Sequence, residues 1–334
     1  MSINIYLRVP VGLEIPKLAD FAKRCEDAGF AGIGIHDHQD AGRDVFSALT
    51  AVALNTSKLK LFPAVTNPVT RHPMVLASLA NSLEEVAPNR TLVMMGSGDM
   101  AVTHIGKPKA TIEELSEATT VIRQLLAGES LTFGSSHDEH LIYTPSTSVP
   151  VYVAATGPKT VKLAGQVGDG AFIWTGFSEE AVQITRQTIA DGLKSAGRPE
   201  TQLPIVAVAP IRIEKDIPTA CSWMSGWLAA DCGLPGTLGN RMANHHGPYM
   251  GSSRQQLSDA ALGKTNAVED LQALGDFIGL FGPPEHIAER ILQIHEEREI
   301  SDIFLMSAHH KDTQYVIPQA ELDAFSKIIF KRIS

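Results

Sequence analysis

The feature that most constrains this chain is a repeated alternation of short apolar runs with longer amphipathic ones. Residues 3–7 read as a first strand, and the helix that follows carries Pro16 in its first turn, where a missing N–H leaves no bond unmade. Leu18, Ala22, Cys25 and Ala28 fall on one face of that helix, and Gly29 supplies its stop. Further strands are expected at 32–36, 59–66, 91–96, 150–155, 170–174, 204–211 and 302–307. The helices between and after them are expected at 44–56, 74–87, 111–127, 158–167, 179–196, 283–298 and about 318–331. In the first of these, Val45, Leu49, Val52 and Ala53 face inward.

A strand–helix–strand repeat makes parallel neighbours through right-handed crossovers. Such strands are buried on both faces, so continuous apolar runs are expected rather than strict alternation. Eight repeats favour a closed (β/α)₈ TIM barrel over an open doubly wound sheet. The expectation is one domain over residues 1–334. Two stretches break the rhythm. Residues 130–149 are polar and suggest a small hairpin. Residues 218–275 hold glycines near 233–239, the pair His245-His246 and then Gly247-Pro248, which is too irregular for one helix. This stretch reads as an insertion after strand seven, helical in part, forming a lid over the barrel mouth; a plain surface insertion is the alternative.

The formal charge of −9 and the absence of a basic run argue against a nucleic-acid partner. Cys25, Cys221 and Cys232 have no metal-ligand or redox spacing, and an odd count points to a reducing cytoplasm. No signal-peptide pattern and no apolar run of roughly 18 residues is present, so neither secretion nor membrane insertion is expected.

Chemistry in a barrel of this kind sits at the C-terminal strand ends, and four clusters fall there. His36-Asp37-His38 follows strand two; a carboxylate between two imidazoles suits proton transfer near neutral pH, or a hydrogen-bonded strand end. Two histidines there also make a partial metal site, without a third ligand at a set spacing. Ala64, Val65, Thr66 and Asn67 open a proline-bounded loop after strand three, able to support a flat ring or simply to connect to the next helix. Gly96-Ser97-Gly98-Asp99 follows strand four, where the glycines allow close approach and the carboxylate accepts a hydrogen bond; an ordinary turn would look the same. Ala155-Thr156-Gly157-Pro158-Lys159 runs from strand five into a helix, placing backbone amides and one lysine where an anion is favoured.

Taken in order, these motifs resemble the luciferase-like flavin and deazaflavin oxidoreductases, nearest the subgroup of methylenetetrahydromethanopterin reductase. The resemblance rests on Asp37-His38, the run 43–50, the runs 53–56 and 66–73, residues 96–99, and the runs 155–159 and 163–170. It covers residues 1 to about 212 and resumes at 280–330. The resemblance implies a homodimeric barrel binding FMN or coenzyme F420 at its strand ends. It implies a cis peptide at Ala64-Val65, ring or ribityl contacts from 96–99, phosphate binding by 155–159, and an acid or base at His38 with Asp37 beside it. The reaction it implies first is an FMN-dependent monooxygenation, with reduced flavin supplied by a separate reductase. The alternative is an F420-dependent reductase or dehydrogenase, whose acidic cofactor tail would meet Lys107, Lys109 and Lys159. A non-catalytic flavin-binding protein and a metal-dependent hydrolase using His36 and His38 are lesser readings. The insertion departs from the family pattern, so the substrate is not carried over; Trp223, Trp227, His245, His246 and Tyr249 are its candidates for shaping a pocket.

Overall fold

Proline and glycine punctuate the chain where the elements begin and end. The computed structural model describes residues 2–9, 12–39, 42–144, 148–199, 202–229, 237–307 and 316–333. Strand β1 (Asn4–Val9) leads to α1 (Ile15–Ala28), which ends on Gly29 at a φ of 106°, a conformation that favours glycine. Next come β2 (Gly32–Ile35), α2 (Val45–Asn55), β3 (Lys60–Pro63), α3 (Pro73–Val86) and β4 (Val93–Met95). A short α4 (Met100–Thr103) and a longer α5 (Ile112–Leu126) precede the expected hairpin, β5 (Leu131–Phe133) with β6 (Ser136–Glu139). Then follow β7 (Val151–Ala155), α6 (Pro158–Val167), β8 (Gly170–Ile173), α7 (Glu179–Ser195) and β9 (Ile205–Ile213).

The stretch after β9 contains α8 (Ile217–Leu228), α9 (Leu238–His246), α10 (Arg254–Ala261) and α11 (Val268–Ile278). The chain then forms β10 (Leu280–Gly282), α12 (Pro284–Arg298) and β11 (Asp302–Ser307). It finishes with α13 (Gln319–Ala324), a π turn at Phe325–Ile329 and α14 (Phe330–Ile333), where sequence periodicity suggested a single helix.

The main sheet runs β3-β2-β1-β11-β9-β8-β7-β4, with every pairing parallel. Its two ends meet through the parallel bridges Leu61–Thr91 and Thr66–Met95. The Thr66 N–H donates to the Met94 carbonyl at 3.0 Å, and the Gly96 N–H donates to the Thr66 carbonyl at 2.9 Å. The eight strands therefore make the (β/α)₈ barrel. Strand β10 pairs with β9 outside the ring. Sequence reading missed it because three residues do not establish a pattern.

Side chains alternate between the barrel interior and the surrounding helices. Tyr6, Phe62, Leu92, Met94, Phe172, Val206, Val208 and Phe304 fill the interior. Gly34 belongs to the same layer, and a Cβ there would lie 2.5 Å from Phe62, 2.7 Å from Phe304 and 2.8 Å from Ala64. Gly34→Val should therefore overpack the barrel and lower stability by about 1–3 kcal/mol or more. Denaturant unfolding checks this; an unchanged midpoint would mean that the interior has slack. Among the described residues, no helix is long and apolar enough to cross a membrane.

Candidate active site

Extending the inward-facing register by one step brings Arg8, His36, Ala64, Gly96, Ala154, Trp174 and Met306 to the barrel mouth. Ala64, Val65, Ala154, Trp174 and Met306 pack directly on the interior cluster. The small side chains are grouped on one side. Ala64, Gly96 and Ala154 come from β3, β4 and β7 or their ends, which are neighbours around the ring. The Ala64–Val65 peptide is cis, as the family resemblance implies. A Cβ at Gly96 would stand 2.9 Å from Val65 Cγ2 and 3.7 Å from Ala154 Cβ. Val65 thus lies across this sector, and glycine at position 96 leaves its face low.

The neighbouring polar residues mostly hold the loops in shape. Thr66 is fully buried in the β3–β4 junction. The Asn67 side-chain oxygen accepts from the Val69 and Thr70 amides at 3.0 and 2.9 Å, so it fixes its own loop. The Ser97 carbonyl accepts from the Ala110 N–H at 2.8 Å. Gly98 has a φ of +88° and its missing Cβ leaves room for Val102, two further reasons for glycine there. Asp99 pairs with Lys109 at 2.9 Å and with Arg241 of α9 at 2.5 Å. This second pair ties the stretch after β9 to the β4 rim. Arg241 lies 142 positions from its partner and carried no local sequence signal.

At the end of β7, the start of α6 is open. Gly157 occupies the N-cap without a side-chain cap, and a Cβ there would meet nothing within 4 Å. Its carbonyl accepts from the Val161 N–H at 3.0 Å and the Thr160 hydroxyl at 2.9 Å. The amides of Gly157, Lys159 and Thr160 have no acceptor among the described residues. Pro158 contributes no N–H but starts the helix well. Thr156 is half-buried and Lys159 exposed, while Ala155 stays in the sheet. Unsatisfied amides at a helix N-terminus favour an anion, and these lie beside the low face made by Val65, Gly96 and Ala154.

The β2 end is built differently. Asp37 is buried, and Arg71 donates to it at 2.7 Å while also reaching Asp44, the N-cap of α2, at 2.8 Å. Burial pushes the Asp37 carboxyl above the usual range, and Arg71 opposes that shift. Asp37 therefore anchors the loop. His38 is buried too, with its ring 5.3 Å from that of His36 and 5.2 Å from that of His104. Arg8 reaches His36 Nδ1 at 3.3 Å. Among the described residues, no group of three or more His, Cys, Asp or Glu side chains could hold a metal ion.

The candidates from 218–275 separate sharply. Trp227 packs on Phe281, and Tyr249 is fully buried, so both are core residues. Trp223 lies under Arg212, 4.5 Å from guanidinium to ring. His245 is exposed. His246 is the one set against a mouth residue, edge-on to Trp174 with ring centroids 4.8 Å apart. Cys232, Gly233 and Gly236 lie outside the described residues.

Burial pushes the His246 imidazole down from 6.5 to about 4. Between those values the unfolded chain binds the proton that the folded one excludes. Stability from this group is therefore complete above pH 6.5 and is lost as pH falls toward 4, by about 3 kcal/mol. The stability difference between the protein and His246→Gln should narrow over that window. A difference that stays constant with pH would contradict the buried neutral ring.

Residues 8–298 match the family described as luciferase-like monooxygenase. The chain belongs to that family. It is 35% identical over 218 residues to the 5,10-methylenetetrahydromethanopterin reductase of Methanolobus tindarius, covering 62% of this chain and 64% of that one. It is 32% identical over 218 residues to the F420-dependent glucose-6-phosphate dehydrogenase of Kineococcus radiotolerans, covering 60% and 65%. Each match thus spans just under two thirds of the relative's length. The structure of the coenzyme F420-dependent tetrahydromethanopterin reductase from Methanopyrus kandleri superposes over the whole of both chains, with a TM-score of 0.73 and 20% identity. This member of the luciferase-like family is an oxidoreductase built on the family's barrel.

Proposed function

We propose that this oxidoreductase binds the deazaflavin F420 at the barrel mouth and exchanges a hydride with a small organic substrate. The supporting observation is the low face of Val65, Gly96 and Ala154 beside the open amides of Gly157, Lys159 and Thr160. A flat ring fits the first, and a phosphate fits the second. F420 supplies the hydride chemistry when bound. The protein's part is to seat the ring, hold the phosphate end and exclude water. Arg241 and Lys109 bring positive charge to Asp99 at the β4 rim, and Lys159 adds to it from the first turn of α6, which follows the neighbouring strand β7. That charge suits an acidic cofactor tail.

The same face and amides suit FMN, and the description of the matching family favours a monooxygenase; on that reading a separate reductase would supply the reduced flavin. F420 is preferred because the sequence relatives include an F420-dependent dehydrogenase, and the reductase solved from Methanopyrus kandleri is F420-dependent. Incubation with each cofactor, followed by desalting and absorbance of the retained species, tests the choice. Retention of FMN with no F420 affinity would move the assignment to the monooxygenase.

In the proposed site His38 handles the proton that accompanies hydride exchange, and Asp37 with Arg71 positions the loop bearing it. His246 and Trp174 wall the substrate side, with α9 serving as the lid. A homodimer in the cytoplasm completes the proposal.

A further inference from the structure

Helix α9 is fixed at two points that belong to different strands. The Arg241 guanidinium donates to Asp99 Oδ2 at 2.5 Å, just past the end of β4. Further along the helix, His246 rests against Trp174, just past the end of β8, with ring centroids 4.8 Å apart. In the ring, β7 is the strand between β4 and β8. All three run parallel, so their C-terminal ends open on the same side. Two strand spacings come to about 10 Å. The helix from Arg241 to His246 covers about 7.5 Å before its side chains are counted. Helix α9 therefore spans the end of β7, where the chain passes through Gly157 into α6 and the amides lie open.

The helix itself is firm. A capping box of Thr237 and Asn240 closes its start, and Gly239 lies so close to the Ala261 carbonyl of α10 that no Cβ would fit. Such an element lifts as a body. Its tie to the β4 rim is softer. The Arg241 side chain is 25% exposed and that of Asp99 45%, so water weakens the pair. Asp99 also holds Lys109 at 2.9 Å, so its carboxylate stays paired when Arg241 lets go.

We propose that Arg241 is a positioning residue that latches α9 to Asp99 as a strap across the start of α6. The strap lifts before a phosphate-bearing cofactor enters or leaves. This adds regulation to the cofactor site proposed above and rests on that placement.

Stopped-flow fluorescence with FMN and with F420 gives the association and dissociation rates of the whole protein. In Arg241→Gln both rates should rise about fivefold, the worth of a part-exposed ion pair, while Kd changes less than either rate. The sign of the association change is decisive. Loss of a cation alone slows the arrival of an anion, whereas loss of a latch speeds it. Slower or unchanged association would overturn the latch and make Arg241 an electrostatic contact. A second arm needs no cofactor. Trp174 Nε1 is buried and has no hydrogen-bond partner among the described residues, so its N–H exchanges with water when its cover lifts. In protein carrying ¹⁵N-tryptophan, NMR should show that exchange rising about fivefold in Arg241→Gln. The exchanged pair, Asp99→Arg with Arg241→Asp, should return it toward the original rate. Indole exchange unmoved by Arg241→Gln would overturn the strap. Failure of the unaltered protein to take either cofactor would fall on the cofactor reading, and the indole exchange would still decide whether the latch holds.

Discussion

Gly157→Asp should abolish most of the cofactor affinity while leaving the fold intact or slightly firmer. Position 157 has a φ of −98° and a ψ of 158°, which any residue adopts, and its Cβ would project into open space. Aspartate is also a better N-cap than glycine by a few tenths of a kcal/mol. Its carboxylate would accept from the amides of Lys159 or Thr160 and so occupy the anion site. It would also stand near the incoming phosphate. Two unit charges about 4 Å apart repel by about 4 kcal/mol at a near-surface dielectric, and solvent reduces that figure at this half-exposed rim. A loss of about 30- to 1,000-fold in affinity is expected, with the melting temperature unchanged or raised. Binding titration and thermal unfolding of the same sample separate the two effects. Undiminished affinity for both F420 and FMN would remove the phosphate assignment.

The second large effect concerns His38. Its substitution by alanine should lower turnover about 10²- to 10⁴-fold, the usual contribution of a positioned acid or base. Cofactor affinity should move much less, because the ring-seating face and the amides lie on β3, β4 and β7, whereas His38 follows β2. The side chain is buried between two rings, so His38→Gln is the companion variant that keeps more of the packing. Equal loss of turnover and binding in both variants would make His38 a structural residue.

The barrel was legible in the sequence because parallel strands buried on both faces write continuous apolar runs, and the prolines at 16, 73 and 158 mark helix starts. Strand ends were less legible. The run 59–66 reads as one strand, yet β3 stops at Pro63, just before the cis peptide. The four clusters at the strand ends were also visible, since barrel chemistry lies there and glycine, proline and histidine stand out. The roles within them depended on partners far away in the chain. Asp37 reads as a catalytic neighbour of His38 until Arg71, 34 positions on, is seen to bind it. Asp99 reads as a cofactor contact until Lys109 and Arg241 appear on it. Trp227 and Tyr249 look like pocket residues by type, but burial places them in the core.

In the proposed complex an anionic flavin-type cofactor lies on Val65, Gly96 and Ala154 with its phosphate on the amides at the start of α6. The most direct measurement is the fluorescence anisotropy of F420 titrated with the protein, repeated with Gly157→Asp and with FMN as competitor. A saturable rise in anisotropy that the substitution removes is the expected result. No rise, or a rise that Gly157→Asp leaves untouched, would mean that F420 is not held at the start of α6.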